Sequence, residues 1–367
     1  MHVDRVFLAD FRNYASITLA LDPGLSLVVG ANGQGKTNLL EAIYLACNHA
    51  SYRSWGVEPL IRTGAERALV VLEGGTRSRS LRIEMEISCS GGMKFSINKI
   101  PPRAWGAQPS LGCVLFSPED LKVIKGGPEH RRRFLDDVCV RTRPMAGAEG
   151  REFERVLRQR NGILKAAQTR PRALSSLDVW DEQFCRAAAA AVRNRVGLLE
   201  RLAPAACLHY RELSSGEGVG FTYRPSWVEG AAPTALEEIA ESLRRALSRV
   251  RSKEVERGAS LVGPHRDDLE VTLQGREARL FASQGEQRSL ALAMRMAERD
   301  LVADERGEDP ILLLDDAFSE LDDRRRGRLR EMVASSGQAI VTSTSLSGVS
   351  LTGRVLEVVG GRILGRP

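Results

Sequence analysis

Short apolar runs that alternate with polar positions open the chain, at Val3 to Leu8, Ser16 to Leu21, Ala68 to Leu72, Leu81 to Ser88 and Cys113 to Phe116. A period of two broken by turn residues predicts strands, several of them paired as antiparallel hairpins. The pattern then changes to Arg-, Ala- and Leu-rich segments at about 151–167, 177–212 and 234–256, separated by loops containing Pro, Gly and Ser, and these predict helices. Strands are predicted again at Gly258 to Val262, Leu269 to Leu273, Ile311 to Leu314, Ala339 to Thr342 and Arg354 to Val359. The chain therefore divides into an α/β part at 1–125, a mainly helical insertion at 126–262 and an α/β part at 263–367. It has no internal repeat, and the insertion carries no long heptads, which argues against extended coiled-coil arms.

Three separated segments add chemistry to this frame. Gly30-Ala31-Asn32-Gly33-Gln34-Gly35-Lys36-Thr37 fits G-x-x-x-x-G-K-[ST], and it lies between the apolar run Leu25 to Val29 and a helical stretch from Thr37 to Cys47 that begins Thr37-Asn38. Glycines there let successive backbone N–H groups turn onto phosphate oxygens, while Lys36 reaches the β and γ phosphates and the Thr37 hydroxyl meets Mg²⁺. Such a pattern also arises in unrelated loops, but strand, glycines and helix in register point to a nucleotide site. Ile311-Leu312-Leu313-Leu314-Asp315-Asp316 reads as a buried strand with an acidic tip. Asp315 is the candidate second holder of Mg²⁺, and Asp316 the candidate general base for the water that attacks the γ phosphate. A strand ending in a solvated acidic turn is the plainer alternative.

The third segment, Ser283-Gln284-Gly285-Glu286-Gln287, precedes an unbroken helical stretch to Ala303. A hydroxyl and N–H groups at a positive helix end suit a γ phosphate, so Ser283, Gly285, Glu286 and Gln287 are candidate nucleotide residues. The same five residues could be a simple capping box. In this order the three segments resemble the ABC ATPase superfamily, with Ser319-Glu320-Leu321-Asp322 resembling its D-loop. The expected fold is then an α/β ABC-type P-loop ATPase head interrupted by a mainly helical second domain.

Composition sharpens the middle of the chain. Of 53 Lys and Arg and 47 Asp and Glu, residues 126–262 hold 24 and 18, leaving 29 of each sign in the flanks. The whole basic excess lies in the insertion, which suggests an acidic polymer as partner, although charge-laced helices also serve solubility. Arg151, Arg155 and Arg158 recur at helical spacing and are the candidate contacts to such a polymer, with Glu152 and Glu154 placed to pair with them instead. The six cysteines form no CxxC pair, which fits a reducing cytoplasm. No signal peptide or membrane anchor is recognisable at Met1-His2-Val3-Asp4, and no apolar run is long enough to span a membrane.

Further motifs extend the likeness. They are Phe11-Arg12-Asn13-Tyr14, Ser51-Tyr52-Arg53-Ser54, Leu60 to Gly64, Phe116-Ser117-Pro118-Glu119-Asp120-Leu121, Gly127 to Asp136 and Gly263-Pro264-His265-Arg266-Asp267-Asp268-Leu269. Together, from about residue 3 to about residue 345, they closely resemble the RecF family of bacterial DNA replication and repair proteins, ABC-type ATPases related to structural-maintenance-of-chromosomes heads. The resemblance implies ATP-dependent binding to duplex DNA and to gaps or junctions with single strands. It also implies work with RecO and RecR, which help RecA replace single-strand-binding protein. Arg12 and Asn13 look like residues that reach the nucleotide, although Arg12 could equally sit on a hairpin turn. Glu119 stands where ABC ATPases keep their Q-loop glutamine. His265 and Arg266 face the nucleotide or hold the insertion on the core.

Two departures point to slow hydrolysis. Thr342-Ser343-Thr344 replaces the histidine that many ABC ATPases carry after the corresponding strand, and Asp316 is one methylene shorter than the usual glutamate. One phosphate loop and one signature segment per chain imply an ATP-dependent homodimer with composite sites. Two other classes share the central motifs: a transporter's nucleotide-binding subunit, which usually spaces these motifs more closely and lacks a basic helical insertion, and an ATPase scaffold whose partner is protein alone.

Overall fold

A computed structural model of the chain describes residues 1–53, 56–101, 111–214, 218–230, 232–318, 321–345 and 352–365. Ser54 of the second motif, and Ser319 and Glu320 of the D-loop-like segment, lie outside the described residues. In chain order the strands and helices begin β1 (His2–Phe11), β2 (Tyr14–Ala20), β3 (Gly24–Val29), α1 (Lys36–Asn48), β4 (Arg67–Thr76), β5 (Arg79–Ser88), β6 (Gly92–Ile97) and β7 (Cys113–Phe116). Next come α2 (Leu121–Lys125), α3 (Pro128–Thr142), α4 (Ala146–Ala167), α5 (Leu177–Leu213), β8 (Val219–Arg224) and α6 (Leu236–Arg257). The chain continues through β9 (Asp268–Leu273), β10 (Arg276–Glu277), α7 (Ala278–Phe281), α8 (Gln284–Arg306), β11 (Ile311–Asp315), α9 (Asp323–Ser335), β12 (Gln338–Ser343), β13 (Arg354–Val359) and β14 (Arg362–Gly365).

An antiparallel sheet of order β2-β1-β4-β5-β6 stands beside a six-stranded sheet of order β14-β13-β3-β12-β11-β7. In the latter, β13, β3, β12, β11 and β7 run parallel and β14 closes the edge antiparallel. Period-two alternation sends opposite faces of these strands into two cores. Ile311, Leu313, Ile340, Val28 and Leu115 face α1 and the antiparallel sheet, whereas Leu312, Leu314, Val341, Leu27 and Val114 face α8 and the helices of the insertion. The parallel strands are buried on both sides, so they read in sequence as continuous apolar runs.

The helical segment closes its core against that second sheet face. α5 packs along α4, α6 and α8. Buried charge fastens the junction. Arg160 is fully buried among Asp181 at 2.7 Å, Glu254 at 2.6 Å and Ser260 Oγ at 2.7 Å, joining α4 to α5 and α6. Taking away Arg160 would leave the fully buried Glu254 without this charge partner, at a cost of ~3–5 kcal/mol. The expected strand Gly258 to Val262 is not formed. Gly258 instead caps α6 at φ +66°, and the Ser260 N–H and hydroxyl both donate to Asn161 Oδ1, which pulls the segment out of any ladder.

The two most specific motifs meet at this junction. Arg131 of α3 donates twice to Asp268, at 2.7 and 2.9 Å, and Arg132 donates to the Asp267 carbonyl at 2.6 Å. Asp136 accepts two bonds from Arg195 of α5, whose third goes to the Pro264 carbonyl at 2.7 Å. His265 Nε2 and Arg266 Nε donate to the Ser260 carbonyl at 3.2 and 3.1 Å. Burial pushes His265 down to about 4, so it is neutral near pH 7 and packs against both Phe153 and Phe184. Of the two roles open to His265 and Arg266, these contacts are those of residues that hold the insertion. Among the described residues no helix is long and apolar enough to cross a membrane.

Candidate nucleotide-binding site

β3 ends at Val29, and the chain turns through the glycine loop into α1, whose first residue is Lys36. Two glycines here have a steric reason. A Cβ on Gly30 would lie 2.4 Å from the Val358 carbonyl, and one on Gly35, at φ +120°, would lie 2.6 Å from Asn13 Nδ2. Lys36 Nζ donates to the carbonyls of Gly30 and Ala31 at 2.7 and 3.0 Å, so the ammonium sits folded over the loop. Burial lowers its pKa while Asp316 and Asp315 act in the opposite direction. The loop is buttressed from β2 and the turn before it. Asn13 Nδ2 donates to the Gln34 carbonyl at 2.9 Å, Asn38 Nδ2 to Asn13 Oδ1 at 2.8 Å and Tyr14 Oη to the Gly35 carbonyl at 2.9 Å.

The acidic strand meets the loop as expected. Thr37 Oγ1 donates to Asp315 Oδ1 at 2.9 Å across 278 positions of sequence. Thr342, which stands in place of a histidine, completes this group. Its hydroxyl donates to the same Asp315 Oδ1 at 2.9 Å and accepts the Asp316 N–H at 3.0 Å. The parallel register of β11 and β12 sets Asp315 directly beside Thr342, a pairing no local motif encodes. Asp316 follows at φ +50°, a left-handed turn that ends the strand.

Burial raises the Asp315 pKa, opposed by the Thr37 and Thr342 hydrogen bonds. A partly desolvated carboxylate beside a hydroxyl is an all-oxygen donor pair that suits a hard cation such as Mg²⁺. Among the described residues no group of three or more His, Cys, Asp and Glu could hold a metal by itself. A nucleotide-dependent Mg²⁺ site asks for less, since it takes one or two protein oxygens and fills the rest with phosphates and water.

Arg12 pairs with α1. Its guanidinium donates to both oxygens of the fully buried Glu41 in α1 at 2.9 and 2.8 Å, and Glu41 also accepts Ser51 Oγ at 2.7 Å and Arg53 at 3.3 Å. Arg12 sits at φ +54°, at the tight turn between β1 and β2. Glu119 pairs with Lys122 at the surface, while its neighbour Asp120 accepts Arg295 of α8 at 2.9 and 2.8 Å.

Ser283 caps α8 in a closed capping box. Its hydroxyl accepts the Glu286 N–H at 3.3 Å, and Glu286 Oε2 accepts the Ser283 N–H and hydroxyl at 2.7 and 2.8 Å. The buried Gln287 donates back to the Ala278 carbonyl at 3.2 Å, and Gly285 lies against Arg325, which bonds Ser289 Oγ at 2.6 Å and Asp322 at 2.5 Å. No hydrogen bond joins residues 283–287 to residues 30–38 among the described residues. The first turn of α8 and the acidic strand tip are nonetheless neighbours, because Arg288 and Asp316 line one cleft with Phe116 and Ser117. On α4, Arg151, Arg155 and Arg158 are all exposed. Arg155 holds Glu152 at 2.6 and 2.8 Å and lies over Trp180, and Arg158 lies 3.6 Å from Glu154.

Comparison with known proteins fits this geometry. Residues 2–360 match the RecF/RecN/SMC N terminal domain. The DNA replication and repair protein RecF of Beutenbergia cavernae is 41% identical over 99% of both chains, and that of Streptomyces avermitilis is 42% identical over 94% of this chain and 93% of its own. The chain belongs to the RecF family. A solved structure of the recombination mediator protein RecF with ATP, from the RecFOR pathway, superposes with a TM-score of 0.92 at 27% identity over 100% of this chain and 98% of that one. A Smc head domain from Pyrococcus furiosus, at 16% identity and a TM-score of 0.54, shares the fold. The architecture is thus that of a RecF or SMC-type ATPase head with both helical and sheet layers.

Proposed function

We propose that this chain is an ATP-dependent, DNA-binding recombination mediator, in which ATP binding drives homodimerisation and slow hydrolysis resets it. The observation that carries the nucleotide reading is the closure of Thr37 and Thr342 on Asp315 beneath a glycine loop. In this reading Gly30, Asn32, Gly33, Gln34 and Gly35 present backbone N–H groups to the phosphates, Lys36 exchanges its two carbonyl partners for phosphate oxygens, and Asn13 and Asn38 hold the loop. Thr37 and Asp315 would hold Mg²⁺, which when bound neutralises phosphate charge. Arg12, paired with Glu41 of α1 in this structure, would reach the nucleotide from the turn between β1 and β2. The basic residues 126–262 form the second domain, between ATPase parts at 1–125 and 263–367.

Asp316 is the proposed general base. Asp316→Asn should retain ATP binding and dimerisation while turnover falls by roughly a hundredfold, the usual worth of a positioned base. Single-turnover hydrolysis with labelled ATP measures this, and a wild-type rate in the variant removes Asp316 from catalysis.

The partners follow from family membership and charge: duplex and gapped or junction DNA, a second copy, RecR and RecO, and through them RecA and single-strand-binding protein, all in the cytoplasm. Binding to gapped duplex should be stronger with ATP than without. Replacing Arg151, Arg155 and Arg158 by Ala should weaken binding to duplexes of every sequence and flatten the salt slope by about 0.9 per lost phosphate contact. The Glu152 and Glu154 pairs favour a second reading, in which this face of α4 is solvated and DNA lies on the ATPase lobes. Unchanged affinity and slope in the triple variant would establish that second reading, whereas a wild-type chain indifferent to DNA with and without ATP would overturn the mediator function.

A further inference from the structure

The C-terminal hairpin carries none of the motifs above, yet it touches the glycine loop at both ends. β13 runs parallel to β3 as far as the pair Glu357 and Val29, so its next residues pass directly beside the residue where the loop begins. There the Val358 carbonyl occupies the space that a side chain on Gly30 would need. Two residues on, the turn between β13 and β14 grips the far half of the loop. Gly360 N–H donates to Gln34 Oε1 at 2.6 Å, and Gly361 N–H donates to the Gln34 carbonyl at 3.1 Å. That same carbonyl accepts Asn13 Nδ2 at 2.9 Å, and Gly361 lies so near that a Cβ on it would be 2.6 Å from the Asn13 carbonyl.

We propose that the turn at residues 358–361 is a positioning element of the nucleotide site, holding Gln34 and Gly30 so that the loop's N–H groups converge on a polyphosphate. Gly360, Gly361 and the Gln34 side chain are then positioning residues, since the Gln34 amide is engaged with the turn instead of facing the nucleotide. The physical case is conformational. Gly33 and Gly35 at φ +78° and +120° leave this loop few restraints of its own, and a loop that must be ordered by its ligand binds more weakly by the cost of that ordering. The turn supplies the ordering in advance. Its own backbone allows this close approach because Gly360 and Gly361 take φ +55° and +73° without a side chain.

This inference rests on the nucleotide reading above, and the test separates the two. ATP with Mg²⁺ is titrated calorimetrically into the wild-type chain, Gly361→Ala, Gln34→Leu and the double variant, and each is melted without nucleotide. Gly361→Ala pushes the turn off Asn13 and should weaken ATP binding about tenfold, while the nucleotide-free melting temperature moves by no more than about 4 °C. Gln34→Leu removes one bond and should weaken binding about threefold. The double variant should bind nearly as well as Gly361→Ala alone, because both changes break one contact. In Gly361→Ala, turnover at saturating ATP should stay near wild type, so that KM moves and kcat does not. Wild-type affinity in a folded Gly361→Ala chain, or fully additive effects in the double variant, overturns the brace. Should Gly361→Ala fail to fold, wild-type affinity in Gln34→Leu overturns it, and a threefold loss there supports it. A wild-type chain that takes no ATP overturns the nucleotide reading itself.

Discussion

Lys36→Met should lower ATP affinity by two orders of magnitude or more and abolish ATP-dependent self-association with it. The ammonium stands over the glycine loop on the carbonyls of Gly30 and Ala31. With nucleotide present it trades two neutral acceptors for anionic ones. A hydrogen bond to a charged group contributes ~1.5–3 kcal/mol, so losing two of them removes about 3 kcal/mol or more, a factor above roughly a hundred in Kd. Methionine keeps the length and apolar stem, so the nucleotide-free fold should be spared, and burial of the ammonium costs free energy that methionine does not incur. Calorimetric titration of ATP and sedimentation at saturating nucleotide measure both effects. Wild-type ATP affinity in a folded Lys36→Met chain would remove the glycine loop from the nucleotide site.

Ser283→Arg is expected to leave ATP binding by the isolated subunit within about twofold of wild type while dimerisation fails, a split that a residue acting only within its own chain would not give. Ser283 is tied to Glu286 at the start of α8, and no hydrogen bond connects residues 283–287 to the glycine loop of the same chain among the described residues. Loss of the cap costs about 1 kcal/mol, too little to unfold a domain of ordinary stability. The damage is steric, because a long side chain replaces a hydroxyl at the helix end where the partner copy's phosphates would seat. Two symmetric sites are blocked in each pair. Ser283→Ala separates the causes, since it removes the same cap without the bulk and should still dimerise, with a loss of about tenfold or less. ATP binding lost in the Ser283→Arg monomer would show instead that the capping box is structural, the plainer of the two readings its sequence allows.

The balance between the site's local and distant parts explains what could be read early. The glycine loop, the acidic strand tip and the α8 cap are each encoded within a few consecutive residues, because a phosphate cradle, a buried strand and a helix N-terminus are local backbone devices with fixed residue requirements. The helices at 177–212 and 234–256 were legible for the same reason, and the structure places them at Leu177–Leu213 and Leu236–Arg257. Gly258 to Val262 misled because a short apolar run with glycine fits a strand or a helix cap equally well, and only the contacts of Asn161 with Ser260 decide between them.

What sequence alone determined is the family and the α/β frame, and it singled out Lys36, Thr37, Asp315 and Asp316 as the candidates for the chemistry of the site. The tertiary structure decided how those residues are held. It set Thr342 beside Asp315 through the register of β11 and β12, paired Arg12 with Glu41, and placed the C-terminal turn against Gln34 and Gly30. Strand register and sheet order arise from which apolar faces pack together over hundreds of positions, and hydrogen-bond partners follow from that packing. A local pattern names the groups that can do chemistry, whereas only the closed fold fixes the neighbours that orient them.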